Sequence, residues 1–177
     1  MRTATELLEH SFFAYDFRIQ PSHFVSTVGI KGTVGEQVDV VNERVGEGGT
    51  LGLIATLRHG THLSTELQAE TQWLSIEGAR LFAAEVAQLK MTCNFTSRMF
   101  LRTIAQYERV HRNLTLYDRE VRRDEGWVNW SILYGYRFNW QTVLYAGFSG
   151  DRLLLDGALY RETAPRFFVK VAYAIEP

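Results

Sequence analysis

The sequence predicts an all-β chain, an antiparallel up-and-down meander of about nine strands, and three observations carry that prediction. The first is an alternation held over about a dozen residues. Val128, Trp130, Ile132, Tyr134, Tyr136 and Phe138 are apolar or aromatic, whereas Asn129, Ser131, Leu133, Gly135 and Arg137 between them are mostly small or polar. Side chains of a strand change face at every residue, so this period describes a ribbon with one greasy side and one polar side. The second is composition: 13% aromatic residues and 14 glycines beside only 3 prolines favour β-structure over disorder. The third is punctuation, with turn residues at Pro21-Ser22, His59-Gly60 and Asn139-Trp140 separating the alternating segments.

In chain order, Thr5 caps a short helical turn through His10, and residues 1–10 form a lead-in to the body at 11–177. Phe13, Tyr15, Phe17 and Ile19 share one strand face, opposite Ala14, Asp16, Arg18 and Gln20. After Pro21-Ser22 a second strand runs over about 23–34. The glycine-rich stretch 35–49, with Glu36, Asp39, Asn42, Glu43, Arg44 and Glu47, reads as an exposed loop. A third strand sets Leu51, Leu53, Ala55 and Leu57 on one side, and a fourth follows over 61–75. That fourth strand has the cleanest polar face, Ser64, Glu66, Gln68, Glu70 and Gln72, backed by Leu63, Thr65, Leu67, Ala69, Thr71 and Trp73.

A short turn at 75–78 leads into 79–94, where two patterns compete. Phe82, Val86 and Leu89 would line a helical stripe, while Leu81, Ala83, Ala87, Leu89, Met91 and Cys93 alternate as in a strand. The absence of a cap or stop signal favours the strand. A sixth strand covers 99–110, a charged loop 111–125, the hairpin 127–148 and a further loop 150–164. A last strand carries Phe167, Val169, Val171, Tyr173 and Ile175 on its apolar face.

The polar ladder on the fourth strand, extended by Arg102 and Arg137, is costly to bury in a dry core. Transmembrane β-barrels give such ribbons a place, with lipid on one face and a wet lumen on the other. On that reading Ser64, Glu66, Gln68, Glu70, Gln72, Arg102 and Arg137 line the lumen. Trp127, Trp130, Tyr134, Tyr136, Trp140 and Tyr173 form the aromatic girdles at the membrane interfaces. Short turns near Pro21, Gly60, Thr96 and Asn139 fall at one end, and loops 35–49, 111–125 and 150–164, with the shorter turn 75–79, at the other. Outer-membrane barrels share that asymmetry.

The stretches Asn94-Phe95-Thr96-Ser97-Arg98-Met99-Phe100-Leu101-Arg102-Thr103-Ile104-Ala105-Gln106-Tyr107, Asn129-Trp130-Ser131-Ile132-Leu133-Tyr134 and Phe167-Phe168-Val169-Lys170-Val171-Ala172-Tyr173 carry a resemblance. With Gly49-Thr50-Leu51 and Leu57-Arg58, they are similar to the C-terminal β-barrel of bacterial outer-membrane proteins that carry an N-terminal carbohydrate-binding family-nine-like domain. The resemblance implies an outer-membrane location, lipid and the barrel-assembly machinery as partners, and an N-terminal portion with signal and soluble domain missing from this chain. It also marks a departure: such barrels commonly finish on an aromatic residue, and this chain ends Ile175-Glu176-Pro177.

A net charge of −1 with scattered Lys and Arg gives no nucleic-acid footprint. The single cysteine, Cys93, excludes an intrachain disulfide. His59 and His62 flank a turn without a third metal ligand nearby, so no metal or cofactor is expected. Glu66 and Glu70 lie about 13 Å apart along one strand, too far for a carboxylate dyad. Ser64 and His62 lack the elbow and orienting group of a serine hydrolase. A structural or channel role without chemistry of its own is the expectation. A soluble lipocalin-like barrel with its apolar face inward is the first alternative, and an outer-membrane hydrolase the second.

Overall fold

The computed structural model describes residues 11–39, 44–155, 158–162 and 164–174, which form one antiparallel sheet. Its strands are β1 (Phe12–Ile19), β2 (Val25–Asp39), β3 (Arg44–His59), β4 (Leu63–Ile76) and β5 (Ala79–Asn94). They continue as β6 (Met99–Arg112), β7 (Asp124–Arg137), β8 (Thr142–Leu155), β9 (Ala158–Glu162) and β10 (Arg166–Tyr173). Each pairs with the next in sequence, except that β9 and β10 lie end to end along β8. Pro165 stands in the break between them, where a missing N–H interrupts a ladder at least cost. The architecture is the up-and-down meander that the alternation predicts.

The segment 79–94 is strand throughout, laddered to β4 on one side and, from Phe82 on, to β6 on the other. Tertiary pairing overrides the helical propensity of its Ala, Glu, Gln, Leu and Lys residues. The proposed turn at 5–10 and the end of the chain at 175–177 lie outside the described residues.

All three predicted loops are shorter than their composition suggests. Within 35–49, β2 runs on to Asp39 and β3 starts at Arg44, paired from Gly35↔Gly48 to Asp39↔Arg44. Glycine is needed there for room: a Cβ on Gly46 would collide with Ile76 and the Ser75 carbonyl. Within 111–125, β6 continues to Arg112 and β7 begins at Asp124. Within 150–164, β8 extends to Leu155 and β9 pairs back along it. The turn between β4 and β5 is two residues, Glu77 (φ 51°) and Gly78 (φ 80°), the left-handed pair that a tight hairpin demands.

The register sets every side chain on one of two continuous faces. Phe17↔Ile30, Ile30↔Leu53, Leu53↔Ala69, Ala69↔Ala87, Ala87↔Tyr107 and Tyr107↔Val128 are successive cross-strand neighbours. Val128 belongs with Trp130, Ile132, Tyr134 and Tyr136, and these with Leu144, Ala146, Phe148, Phe167, Val169, Val171 and Tyr173. The apolar sides read strand by strand are therefore one surface. The opposite surface holds the polar ladder.

The strands are also staggered. A line of paired residues starting at Ile19, the end of β1, passes through Val28, Ala55, Leu67, Leu89, Ala105 and Trp130 to Gly150. Gly150 lies eight residues up from Thr142, where β8 starts. The drift is about one residue per strand, which at about 3.4 Å rise and 4.8 Å strand spacing inclines the strands about 35° to the normal of the line of turns. Closed barrels tilt their strands by 35–45°. Among the described residues no ladder joins β1 to β10, so the sheet has two edges. The eight antiparallel steps between them leave β1 and β10 running the same way.

Candidate functional site: a two-faced wall and its rim

On the apolar surface the greasy band starts at the turns and stops at a common height. Its upper members are Val34, Leu51, Trp73, Ala87, Tyr107, Val128 and Phe148. Glu36, Glu47, Glu85, Arg109, Asp124 and Arg152 follow on the same face, one or two pairs higher. From the turn to the upper member of the band each strand contributes about nine residues, and at about 35° of tilt they stand about 24 Å tall. Lipid-facing bands of outer-membrane barrels are about 25 Å tall. The band is open to its surroundings: Phe13 is 70% exposed, Phe17 61%, Val171 63% and Phe167 70%.

At the foot of the band, three of the four turns present exposed aromatics: Phe24, Phe95, and the pair Phe138 and Trp140. Phe24 packs edge-on against His59 (4.6 Å between centroids), and Phe138 packs likewise against Tyr136 (4.8 Å). Trp130 tilts against Phe148 at 5.1 Å on the apolar face. Of the six aromatics expected at the interfaces, Trp130, Tyr134, Tyr136 and Tyr173 share that face, and Trp140 sits in the turn. Trp127 does not share it. Its partners are Glu108 and Leu153, which puts it on the polar surface.

All seven residues expected to line a lumen lie on the polar surface. Glu66↔Lys90↔Ile104 connects β4 through β5 to β6, and Arg102↔Leu133 connects β6 to the side of β7 that bears Arg137. Several charges there are paired, most of them across strands. Lys90 Nζ donates to both oxygens of Glu66 (3.0 and 3.1 Å), and Lys31 Nζ lies 2.9 Å from Glu70, reaching over Gly52. Gln88 donates to Gln106 (2.9 Å), which donates in turn to Glu108. Asp16 and Arg18 pair at 2.9 Å, as do Asp151 and Arg166.

Glu66 and Glu70 thus each serve a separate lysine and make no acid–base pair. His62 shares a hydrogen bond with Thr61 (3.1 Å), and His59 is occupied by Phe24. No group of three His, Cys, Asp or Glu side chains with metal-binding geometry occurs among the described residues.

Above the band the sheet builds a rim. Leu74, Ile76 and Leu81 are buried together, with Phe82, Leu116 and Tyr117 packed on them. The last two come from 113–123, where Asn113 caps a single 3-10 turn (Leu114–Leu116) and its N–H donates to the Leu81 carbonyl (2.9 Å). Arg44 ties the cluster down, donating to Asp39 (2.9 Å) and to the Leu116 carbonyl (3.0 Å). Burial pushes the Tyr117 hydroxyl pKa up.

On the other side of the rim, Asp124 receives hydrogen bonds from Arg109 (2.7 and 3.2 Å) and shares one with His111 (3.0 Å). Hydrogen bonding from His111 first, and from Arg109 second, holds the Asp124 carboxyl below the ordinary carboxylate value, while the same pairing raises Arg109. This three-residue cluster was not legible as a unit. The only signal was the density of charges at 109–125, which composition alone assigns to a loop.

No family model matches the chain, and no curated protein matches it either. No helix among the described residues is long and apolar enough to cross a membrane, a test that strands escape.

Proposed function

We propose that this chain forms part of the wall of a transmembrane β-barrel in a bacterial outer membrane, with its polar face to a water-filled lumen and a structural or solute-passing role. One observation carries the reading. An apolar band of about 24 Å, parallel to the line of turns, runs uninterrupted around a sheet whose tilt is that of a barrel. A water-soluble single-layer sheet has no use for such a surface, because contiguous exposed apolar patches of this extent favour association. Burying it in hydrocarbon removes the penalty and leaves the cross-strand ion pairs hydrated on the other side. The resemblance to outer-membrane barrels agrees with it, and the partners it implies are lipid and the assembly machinery.

Trp127 and Trp130 make the test compact, being three residues apart on opposite faces. In vesicles containing brominated lipid, a variant with Trp130 as its sole tryptophan is quenched and one with Trp127 as its sole tryptophan is spared. Quenching of neither would assign the apolar face to the interior, as in a soluble lipocalin-like barrel, and quenching of Trp127 alone would contradict the proposed orientation.

A further inference from the structure

On the polar face Arg18, Lys31, Lys90 and Arg166 are paired with Asp16, Glu70, Glu66 and Asp151, while among the described residues Arg58, exposed at the turn end of β3, has no carboxylate beside it. The lower quarter between β6 and β10 is different, because it gathers several such cations side by side. There Phe100, Gly135, Tyr145 and Lys170 form one rank across four strands. Arg102 stands one pair above Phe100, and Arg137 one pair beyond Gly135. The Phe100 ring covers Gly135, where a Cβ would collide with it, and Phe100 is 7% exposed.

Both guanidiniums stack on that ring, Arg102 at 5.8 Å and Arg137 at 5.4 Å from its centroid, and Tyr145 meets its edge at 6.3 Å. Arg137 donates to the Ser97 carbonyl (3.3 Å). Among the described residues none of Arg102, Arg137 and Lys170 has an acidic partner. Arg102 Nε is moreover shielded from solvent and makes no hydrogen bond. Three cations in about 14 Å of sheet repel one another, and an unpaired buried donor is costly. Stacking on an aromatic floor holds such charges in place and leaves their remaining N–H groups free.

We infer that this patch is a binding site for anionic solutes carrying two or more oxyanion groups, phosphate or carboxylate. Planar guanidinium forks match both chemistries bidentately, and the Lys170 ammonium adds a third contact on the far side of Tyr145. The inference rests on the reading of the polar face as a lumen wall, and it makes the lower lumen an anion-selective station.

The test is calorimetric titration of the full chain in phosphatidylcholine vesicles with inorganic pyrophosphate in one arm and citrate in the other. Wild type binds at least one of them. Arg102→Gln and Arg137→Gln each weaken that binding about tenfold or more, Arg102→Lys weakens it less, and Lys31→Gln leaves it unchanged. Circular dichroism and heat-modified gel mobility verify that each variant keeps its sheet. Equal affinity in wild type and in the Arg102→Gln/Arg137→Gln/Lys170→Gln variant, or no heat with either anion, overturns the site. In the same vesicles, Gln68→Cys on a Cys93→Ser background reports the lumen separately through a water-soluble maleimide. Labelling without anion binding removes the site alone, and failure to label removes the wall reading and the site with it.

Discussion

The band below Tyr107 and Val128 and the rim above them are made by the same strands and the same ladders, yet they are stabilised in opposite ways. The rim has a core of its own: Leu74, Ile76 and Leu81 are shielded by the folded-over segment 113–123 and tied by Arg44. The band has none, and its large side chains stand exposed on a single layer. A layer of strands cannot bury its own apolar face, so the band depends on what surrounds it, whereas the rim is self-sufficient in water. The change occurs within one or two residue pairs on β2, β3, β5, β6, β7 and β8, where a bilayer boundary would fall.

The contrast is sharpest for charge insertion. Ile132→Arg or Leu67→Arg, near mid-band, is expected to cost about 2–4 kcal/mol in denaturant titrations of vesicle-embedded protein, while Glu85→Arg on the same face at the rim costs about 0–1 kcal/mol. Equal costs at both heights would erase the distinction. Next in size is Leu81→Ala, which should destabilise the rim by about 2 kcal/mol. Because that core is local, the loss should appear as faster tryptic cleavage after Arg119 or Arg122, with the band's resistance to denaturant little changed.

Lys90→Gln tests the polar face at band height. Lys90 and Glu66 are each about one-third exposed, so separating them should cost no more than about 1 kcal/mol and less at high salt. The smallest effect is that of Asp124. Its carboxyl is depressed in the folded chain, so its contribution is complete above the ordinary Asp pKa of about 3.9 and is lost as pH falls through the lower folded value. Rim stability should therefore be flat from this group between pH 5 and 8. Asp124→Asn should abolish the acid-dependent part of any loss below about pH 4, followed by proteolysis of the rim.

The same contrast explains what was readable from the chain. Alternation marks a strand only where one face is apolar, so the strand segments of the band and the shared polar face of Ser64, Glu66, Gln68, Glu70, Gln72, Arg102 and Arg137 were legible residue by residue. At the rim both faces turn polar or glycine-rich, and hydropathy stops while the backbone ladder continues through Gly46, Gly48, Arg109 and Asp124. Those stretches imitate loops. Trp127 carried an aromatic signal but stands in step with Asn129 and Ser131, and the register puts it on their face. The Arg102–Phe100–Arg137 stack spans two strands whose pairing no local pattern announces.

The most direct test of the central claim is a nitroxide scan along the apolar face of β6 and β7, from Leu101 through Ala105 to Arg109 and from Tyr134 through Ile132 to Asp124, in vesicles. Oxygen accessibility relative to a water-soluble nickel chelate should peak near Thr103 and Ile132 and invert by Arg109 and Asp124. A profile flat along both strands, or one in which the chelate reaches Ile132 as readily as Asp124, would contradict the account.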